Sequence, residues 1–447
     1  MPLQKNQVLT LRVERLSSDG SGVAHSPDGE TVFIPGAAPG DEARVRIVKD
    51  CKRYAFGILD KVLTPSPDRI PVDCAVAGPC GGCSLRHLDY AAELRAKQEN
   101  VADAFARIGG LDVPVLPIVG SPEVNRYRNK VQFPVGVDKS GKPCIGFYAG
   151  RTHRIVPCPD CRLQPGVLNE IGNALCAFFA EKGIQPYSEE TGRGLVRHIF
   201  LRRGAHSGQI MVCLVCTRAK LPSAEELCTR LKAQFAEITT ILLNVNAKNT
   251  NVILGTETHT LYGQGYIEDT LCGVPVQLGP LSFYQVNTLA AEQLYGIAAQ
   301  YAQLTPDDLL LDLYCGMGTI GLSMAAHCRE LIGVEIVPEA IESARANAAR
   351  MGADVAAKSR FFCADAGQAA TRLAAEGLHP DIVMLDPPRK GCDEATLSAV
   401  VRMSPRRVVY VSCNPATAAR DAAWLEQNGY HAEKVQPVDL FPRTRHC

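Results

Sequence analysis

The chain has 447 residues, of which 46% are hydrophobic and 21% charged, which is typical of a globular protein with about three domains and excludes a disordered chain. Basic and acidic residues number 47 each, so any contact with nucleic acid must come from local basic surfaces. There is no signal sequence and no apolar run long enough to span a bilayer. We therefore expect a cytoplasmic protein with no membrane partner, and the sequence implies no protein partner. The 18 cysteines do not resemble a secreted disulfide framework, so clusters of them indicate metal binding or catalysis.

Residues 8 to about 62 consist of short runs in which apolar and polar residues alternate. Turn sequences such as Asp19-Gly20 and Pro39-Gly40 separate these runs, a pattern that predicts a small β-barrel. The stretch from 64 to 68 is a predicted linker. A short basic and aromatic stretch lies within this segment, formed by Lys49, Lys52, Arg53 and Tyr54. It could be an RNA-facing patch or an ordinary solvated face, and taken alone the composition favours the solvated face.

Three cysteines lie close together after the linker: Cys74, Cys80 and Cys83, with two glycines between the last two. Thiols at this spacing suit an iron–sulfur cluster or a metal ion better than unligated packing. Cys158 or Cys161 would supply the fourth thiol of a cluster, whereas a zinc ribbon would use the two C-x2-C pairs and leave Cys74 free. The spacing alone leaves both possibilities open.

The central segment has the pattern of an α+β domain. Periodicity predicts a helix over 88–108 capped by Asp89, a strand over 209–215, a helix over 223–235 and a strand over 240–244. Basic residues recur here among aromatic ones, which indicates either an RNA-binding surface or solvated strand faces. They are Arg126, Arg128, Lys130, Arg151, Arg154, Arg193, Arg197, His198, Arg202 and Arg203.

Strands and helices alternate regularly from about residue 288. Apolar runs at 309–315, 330–336, 381–386 and 407–413 are predicted strands, and Pro338 to Met351 is a predicted helix closed by Gly352. This alternation predicts a doubly wound parallel sheet, in which ligands bind beyond the carboxyl ends of the strands.

The first of these strands leads into a turn that contains Gly316 and Gly318, and Glu335 ends the second strand. Such a turn serves several nucleotide cofactors, including the dinucleotide of a nicotinamide-dependent oxidoreductase. S-adenosylmethionine is favoured for two reasons. Asp312 precedes the glycines, where a phosphate-binding turn would avoid negative charge, and Asp386-Pro-Pro ends a later strand.

Cys413 is predicted at the carboxyl end of the strand 407–413, where Asn414 and Pro415 stop the strand. With Asp386 at the end of a neighbouring strand, a thiol and a carboxylate would reach one crevice. A thiol just before a turn is placed for reaction, and the alternative is a buried cysteine that packs as a small apolar residue.

Five motifs together resemble the RNA uracil-5-methyltransferases: Phe283-Tyr-Gln285-Val-Asn287, Asp312-x-x-Cys-Gly-x-Gly, Asp386-Pro-Pro-Arg, Ser412-Cys413-Asn-Pro and Phe441-Pro-x-Thr-x-His446. The barrel is similar to the TRAM domain of that family. Cys74, Cys80, Cys83 and Cys161 match the ligands of a four-iron four-sulfur cluster in the branch that methylates 23S ribosomal RNA. The resemblance implies a TRAM-like barrel over 1–63, a central α+β domain with the cluster and an RNA-binding surface over 64–280, and a Rossmann-like S-adenosylmethionine-dependent methyltransferase domain over 281–447.

The same resemblance implies residue roles. Cys413 would add to carbon 6 of uracil, and Asp386 would contact the donor or hold the base. The target uridine would be flipped out or lie in a loop. Glu335 would bind the ribose hydroxyls of S-adenosylmethionine. The donor-binding set is Gln285, Tyr314, Gly316, Gly318, Thr319, Glu335, Asp365 and Asp386.

One departure concerns the base that removes the carbon 5 proton. In the family it is a glutamate two residues after the histidine that matches His446, whereas this chain ends at Cys447. We therefore expect a methyltransferase domain that is C-terminally truncated and impaired in turnover. The expected substrate is 23S ribosomal RNA. The alternatives are a transfer RNA uridine methyltransferase and a noncatalytic RNA-binding or assembly factor.

Overall fold

A computed structural model of the protein describes residues 3–150, 152–248 and 250–447. The chain divides into two compact units, one formed by residues 1–124 with 413–447 and the other by residues 125–412. Within the described ranges, no helix is both long enough and apolar enough to cross a membrane. Arg151, one of the basic residues singled out above, lies outside the described residues.

The first unit opens with a closed five-stranded barrel of order β1-β2-β3-β5-β4, which confirms the barrel predicted from the alternating pattern. Inward-facing residues such as Val32 and Ile47 are fully buried, at 0% exposure. Gly57 is required on the barrel wall, because a Cβ at this position would lie only 2.3 Å from Cγ1 of Val45. The strands are β1 Val8–Leu16, β2 Ser21–His25, β3 Thr31–Pro35, β4 Glu42–Asp50 and β5 Tyr54–Thr64.

Two helices and the carboxyl-terminal segment complete the first unit. The predicted cap Asp89 begins the first helix, and its side chain accepts a backbone hydrogen bond there. The buried ammonium of Lys97 ties this helix to the chain end, since it donates to Glu93 at 2.8 Å and to Asp439 at 2.7 Å. Ala419 of the last helix packs in the same apolar cluster as Phe105. The helices are α1 Tyr90–Ala104, followed by a π-helical turn Phe105–Gly109, and α10 Pro415–Gln427.

The second unit contains a seven-stranded sheet of order β12-β11-β10-β9-β6-β7-β8, in which β10 and β11 are parallel and the other neighbours antiparallel. One face packs on two helices through a core that includes Phe133 and Phe179. The other face contributes Phe200 and Met211 to a second core. Because both faces are covered, every residue of β10 is buried. The elements are β6 Lys130–Val137, β7 Pro143–Tyr148, β8 Ile155–Pro157, α2 Gly166–Glu181, β9 Val196–Arg203, β10 Ile210–Cys216, α3 Ala224–Gln234, β11 Ile238–Val245 and β12 Glu257–Tyr262.

A five-stranded parallel sheet of order β17-β16-β15-β18-β19 follows in the same unit and confirms the predicted doubly wound fold. The strand order reverses between β15 and β18, and this is where such sheets open a crevice for ligands. The predicted helix boundaries Pro338 and Met351 are also confirmed. The elements are β13 Ile267–Leu271, β14 Val274–Leu278, α4 Thr288–Ala302, β15 Leu309–Leu313, α5 Thr319–Met324, a 3₁₀ turn Ala325–His327, β16 Glu330–Glu335, α6 Pro338–Met351, α7 Ala353–Lys358, β17 Ser359–Cys363, α8 Ala366–Ala375, β18 Ile382–Leu385, α9 Glu394–Met403 and β19 Arg407–Tyr410.

The last strand is shorter than predicted. Strand β19 ends at Tyr410, which pairs with Leu385, the last residue of β18. One further hydrogen bond, from the Val411 N–H to the Leu385 carbonyl at 2.7 Å, closes the pairing. The apolar run continues in the sequence, but β18 offers no further residues with which to pair. Cys413 therefore lies beyond the sheet, and the prediction that it occupies the strand tip is wrong.

Candidate active site

A tight turn at the end of β15 forms one side of the crevice. Tyr314, Gly316 and Gly318 have positive φ angles of 67°, 55° and 78°, a conformation that glycine adopts freely and that strains a tyrosine. The Gly316 N–H donates to Oε2 of Glu335 at 3.1 Å. The Tyr314 hydroxyl lies 3.4 Å from Oγ1 of Thr396. The glycine turn and the acid are therefore side by side at the ends of β15 and β16.

The carboxylate of Glu335 is held in place by the backbone that follows it. Its Oε1 accepts from the N–H groups of Ile336 and Val337, at 2.8 and 2.9 Å. The Glu335 carbonyl accepts from the Ala364 N–H at 2.9 Å, which brings the end of β17 alongside. There Asp365 caps α8. Ile336, which is 61% exposed, adds an apolar surface next to these two acids that the sequence analysis did not identify.

Two carboxyl groups, those of the buried Asp312 and the half-buried Asp386, make the crevice acidic. Oδ2 of Asp312 accepts from the Gly321 N–H at 3.0 Å, and Oδ1 is buried without a hydrogen-bond partner among the described residues. Burial, with the charges of Asp386 and Glu335, raises the pKa of Asp312 to about 8. Burial also raises the pKa of Asp386 to about 7. Carboxyl groups crowded in a buried site favour a cationic ligand.

A buried tyrosine, Tyr295, connects several of the predicted donor-binding residues. Its hydroxyl lies 3.5 Å from Oγ1 of Thr319 and also hydrogen-bonds to the side chain of Gln285. Burial, with the charge of Asp386, raises the pKa of the Tyr295 hydroxyl. The structure thus brings Gln285, Thr319 and Asp386 around one side chain that the sequence analysis missed. Its place on the buried side of α4 gave no signal of such a role.

Cys413 lies in the loop between β19 and α10, and its side chain is exposed. Asn414 caps α10 by accepting from the Ala416 N–H at 3.2 Å, so the helix begins directly after the thiol. In the second unit, Asp386 directly follows the last residue of β18. Because Cys413 is exposed, the alternative of a buried packing cysteine is wrong, and the thiol is accessible to a reactant.

The four cysteines of the predicted cluster come from both units. Cys74, Cys80 and Cys83 are half-buried in the first unit, and Cys161 belongs to the second. A hydrogen bond from the Cys158 side chain, with backbone N–H groups, lowers the pKa of Cys161 to about 6. Among the residues that the structure describes, no group of three or more His, Cys, Asp or Glu side chains is arranged to hold a metal ion. The structure therefore gives neither the cluster nor the zinc site support.

Part of the predicted RNA surface is buried. Arg197, His198 and Arg202 are 5%, 6% and 1% exposed. Nη1 of Arg197 donates to the Asn246 carbonyl at 3.0 Å and so stabilises the protein interior. Both predicted possibilities, an RNA-facing surface and a solvated strand face, are wrong for Arg197, His198 and Arg202, because β9 is an inner strand with both faces covered.

The basic and aromatic patch on the barrel is exposed. Tyr54 is 40% exposed, and its ring centroid lies 5.7 Å from those of Phe33 and Phe56. Lys52 and Arg53, which precede Tyr54, are also exposed. Three contacting rings beside basic side chains have the composition of a surface on which bases stack.

A doubly wound sheet with a glycine turn, an acid at the end of the second strand and buried carboxyl groups beside them defines the class of S-adenosylmethionine-dependent methyltransferases. Comparison with known proteins narrows this class. A family model described as tRNA (uracil-5-)-methyltransferase matches residues 204–447, and a TRAM domain model matches residues 2–59.

Relatives of similar length support the same assignment. An uncharacterized RNA methyltransferase of Halalkalibacterium halodurans is 43% identical over 446 residues, covering 100% of this chain and 96% of its own. One from Listeria monocytogenes is 42% identical over 448 residues, covering 99% and 97%. The crystal structure of Pyrococcus abyssi tRNA (uracil-54, C5)-methyltransferase in complex with S-adenosyl-L-homocysteine matches with a TM-score of 0.78 and 27% identity, over 98% of both chains.

The chain therefore belongs to the tRNA (uracil-5-)-methyltransferase family and carries an amino-terminal TRAM domain. It is an S-adenosylmethionine-dependent RNA uracil methyltransferase, as the five motifs implied. The alternatives of a nicotinamide-dependent oxidoreductase and of a noncatalytic RNA-binding factor are excluded with it.

Proposed function

We propose that the protein methylates carbon 5 of a uridine in 23S ribosomal RNA, with Cys413 as the nucleophile. Carbon 5 of uracil is a weak nucleophile until a thiolate adds to carbon 6. Addition forms a bond between sulfur and carbon 6 and moves the π electrons of the ring into an enolate. The enolate then takes the methyl group from the sulfonium of the donor. Loss of the carbon 5 proton to a base restores the double bond and releases the Cys413 thiolate.

The observation that carries the donor half of this proposal is the pair of carboxyl groups next to the glycine turn, the buried Asp312 and the half-buried Asp386. The sulfonium of S-adenosylmethionine is positively charged, and a nearby cation favours the ionised form of both carboxyl groups. We assign Glu335 to the ribose hydroxyls and Gln285, Tyr314, Gly316, Gly318, Thr319 and Asp365 to the rest of the donor.

The acceptor half rests on the exposed thiol of Cys413 in its Ser-Cys-Asn-Pro motif. Choice of 23S ribosomal RNA over transfer RNA rests on the spacing of Cys74, Cys80 and Cys83. The name of the Pyrococcus abyssi protein favours the second candidate, a uridine in transfer RNA. Both candidate substrates would undergo the same reaction, so one trapping experiment carried out with each RNA distinguishes them.

The test is covalent trapping with RNA that contains 5-fluorouridine, in the presence of S-adenosylmethionine. Fluorine cannot leave carbon 5 as a proton, so the adduct between Cys413 and carbon 6 should persist. We expect a slower-migrating protein band with fragments of 23S ribosomal RNA, lost in Cys413→Ala. Cys363→Ala is the matched control, because Cys363 is also an exposed cysteine. An adduct with transfer RNA alone would show that transfer RNA is the substrate. An adduct that still forms with Cys413→Ala would refute the assignment of Cys413 as the nucleophile.

The four-iron four-sulfur cluster on Cys74, Cys80, Cys83 and Cys161 remains a prediction from spacing and resemblance. We expect protein purified without air to be brown, to contain iron, and to lose its visible absorption in Cys80→Ser. Cys51→Ser is the control, since Cys51 is a half-buried cysteine outside the set. Stoichiometric zinc, or the absence of both metals, would refute the cluster.

A further inference from the structure

A buried arginine of β9, Arg202, holds the loop that joins β14 to α4. Its two terminal nitrogens, Nη1 and Nη2, donate to the carbonyls of Gly279 and Ser282, at 2.8 and 2.7 Å. The planar guanidinium presents its donors in a fixed geometry, so these two bonds fix two points of the loop relative to each other. We call residues 279–287 the anchored loop.

The burial of Arg202 is unfavourable unless these bonds offset it. Its side chain lies in the interior at 1% exposure, where burial lowers its pKa to about 10. No carboxylate of the described residues forms an ion pair with it, and its closest compensation is the ring of Phe200, 5.4 Å from Cζ. A charge removed from water without an acid is costly, so an apolar side chain would suit a position that only had to fill space. The presence of an arginine is therefore explained by the loop that its guanidinium holds.

Asn129, which directly precedes β6, holds the other end of the anchored loop. Its Nδ2 donates to the Gln285 carbonyl at 2.7 Å, and its backbone N–H donates to the Val286 carbonyl at 2.8 Å. Between the two ends, the hydroxyl of the buried Tyr284 donates to Oδ2 of Asp269 at 3.0 Å. Buried donors thus fix the loop at its beginning, its middle and its end.

The conformation that these bonds fix is not the one that apolar burial would favour. Leu281 and Phe283 are 66% and 73% exposed, although both are large apolar residues. A loop free to move would turn them away from water. Backbone held in a disfavoured conformation by its surroundings is characteristic of functional sites. The functional side chain of this loop is that of Gln285, which hydrogen-bonds to the Tyr295 hydroxyl beside the donor site.

We infer that Arg202 and Asn129 are positioning residues for the methyl donor, because they hold the anchored loop in the conformation that directs Gln285 to the donor site. This inference rests on the proposed function, which assigns Gln285 to S-adenosylmethionine. Arg202 is too deeply buried to reach a ligand itself, and Asn129 is only 5% exposed. Both act through the carbonyls of the loop, so their effect on the donor should pass through Gln285.

The test is a set of double-mutant cycles in which calorimetry measures affinity for S-adenosylmethionine. Arg202→Met and Asn129→Leu should each weaken binding about fivefold to tenfold, which corresponds to the loss of one hydrogen bond from Gln285. In the Gln285→Ala background, neither change should weaken binding further, because the side chain that they position is absent. A role in folding alone would not produce this dependence on Gln285.

Two other variants and the unfolding midpoints complete the test. Arg218→Met is the matched control, since it removes an exposed arginine just after β10 and should leave donor affinity unchanged. Arg202→Lys keeps the charge without the planar fork and should recover only part of the affinity. Calorimetry is performed below the lowest unfolding midpoint of the set. If Arg202→Met does not fold, Asn129→Leu tests the same inference at the other end of the loop.

The outcomes distinguish this inference from the proposed function. Unchanged donor affinity in folded Arg202→Met and Asn129→Leu, while Gln285→Ala binds more weakly, would overturn the positioning role alone. Losses that multiply in the double variants would also overturn it, because the two residues would then act independently of Gln285. Unchanged affinity in Gln285→Ala would overturn the assignment of Gln285 in the proposed function, and the inference with it.

Discussion

Donor binding should depend steeply on pH, because two carboxyl groups of the crevice are protonated near neutrality. Burial raises the pKa of Asp386 to about 7 from an ordinary 3.8, and that of Asp312 to about 8. A bound sulfonium favours the ionised forms, so donor binding must release protons whenever the pH lies below these values. Affinity should be full above about pH 8 and fall as the pH decreases.

The expected loss of donor affinity on replacing Asp386 follows from the pKa of its carboxyl group. At about 1.4 kcal/mol for each pKa unit, a return from about 7 to 3.8 corresponds to roughly 4 kcal/mol of favourable interaction between carboxylate and cation. Asp386→Asn should therefore weaken donor binding by up to roughly 1,000-fold at high pH. The loss should shrink by about tenfold for each pH unit below 7, because the wild-type carboxyl group must then be deprotonated.

The assay is titration calorimetry from pH 5.5 to 8.5 with S-adenosylmethionine and, in parallel, with S-adenosylhomocysteine. The second ligand lacks the sulfonium charge and should show a shallower dependence on pH. Asp354→Asn is the control, since Asp354 is exposed on α7. The same pH dependence in Asp386→Asn and wild type, or equal slopes for the two ligands, would refute this reasoning.

Two further predictions concern stability. Lys97→Met should lower the free energy of unfolding by about 3–5 kcal/mol, because Glu93 and Asp439 would remain as buried acids without their shared cation. Urea unfolding measures this loss of stability, which should become smaller at low pH as the two acids become protonated. Gly57→Ala should cost about 1–3 kcal/mol, because its Cβ would lie 2.3 Å from Cγ1 of Val45 and one barrel strand must shift.

Matched control variants distinguish these two effects from nonspecific losses of stability. Lys5→Met removes an exposed lysine of the same unit and should leave the unfolding free energy nearly unchanged. Gly78→Ala adds a methyl group where no atom lies within 4 Å. If Lys97→Met were as stable as Lys5→Met, the buried ion network would contribute little to folding, and a harmless Gly57→Ala would show that the barrel has room at that point.

Local pattern was sufficient wherever neighbouring residues decide the structure. Asp89 and Gly352 marked helix ends correctly, because capping depends on the residue at the end and the few that follow it. The alternation of the first 62 residues predicted the barrel for a similar reason, since side chains of a strand point to alternate faces. The order of strands and helices after residue 288 was enough to predict a doubly wound sheet.

Pattern failed where a distant segment decides the outcome. The apolar run through Val411 predicted a longer strand, but β18 ends at Leu385 and leaves the later residues unpaired. Charge suggested that Arg197 and His198 face solvent, whereas the sheet buries both. Tyr295 was missed because the residues that give it a role, such as Thr319 and Gln285, come from elsewhere in the chain.

The sequence by itself determined the family, the order of the elements and the chemistry available at Cys413 and Asp386, because motifs and periodicity are local properties of the chain. Tertiary structure alone decided which charged groups are desolvated. Burial makes Asp386 a carboxyl group that titrates near neutrality, and burial depends on segments that meet only when the chain folds.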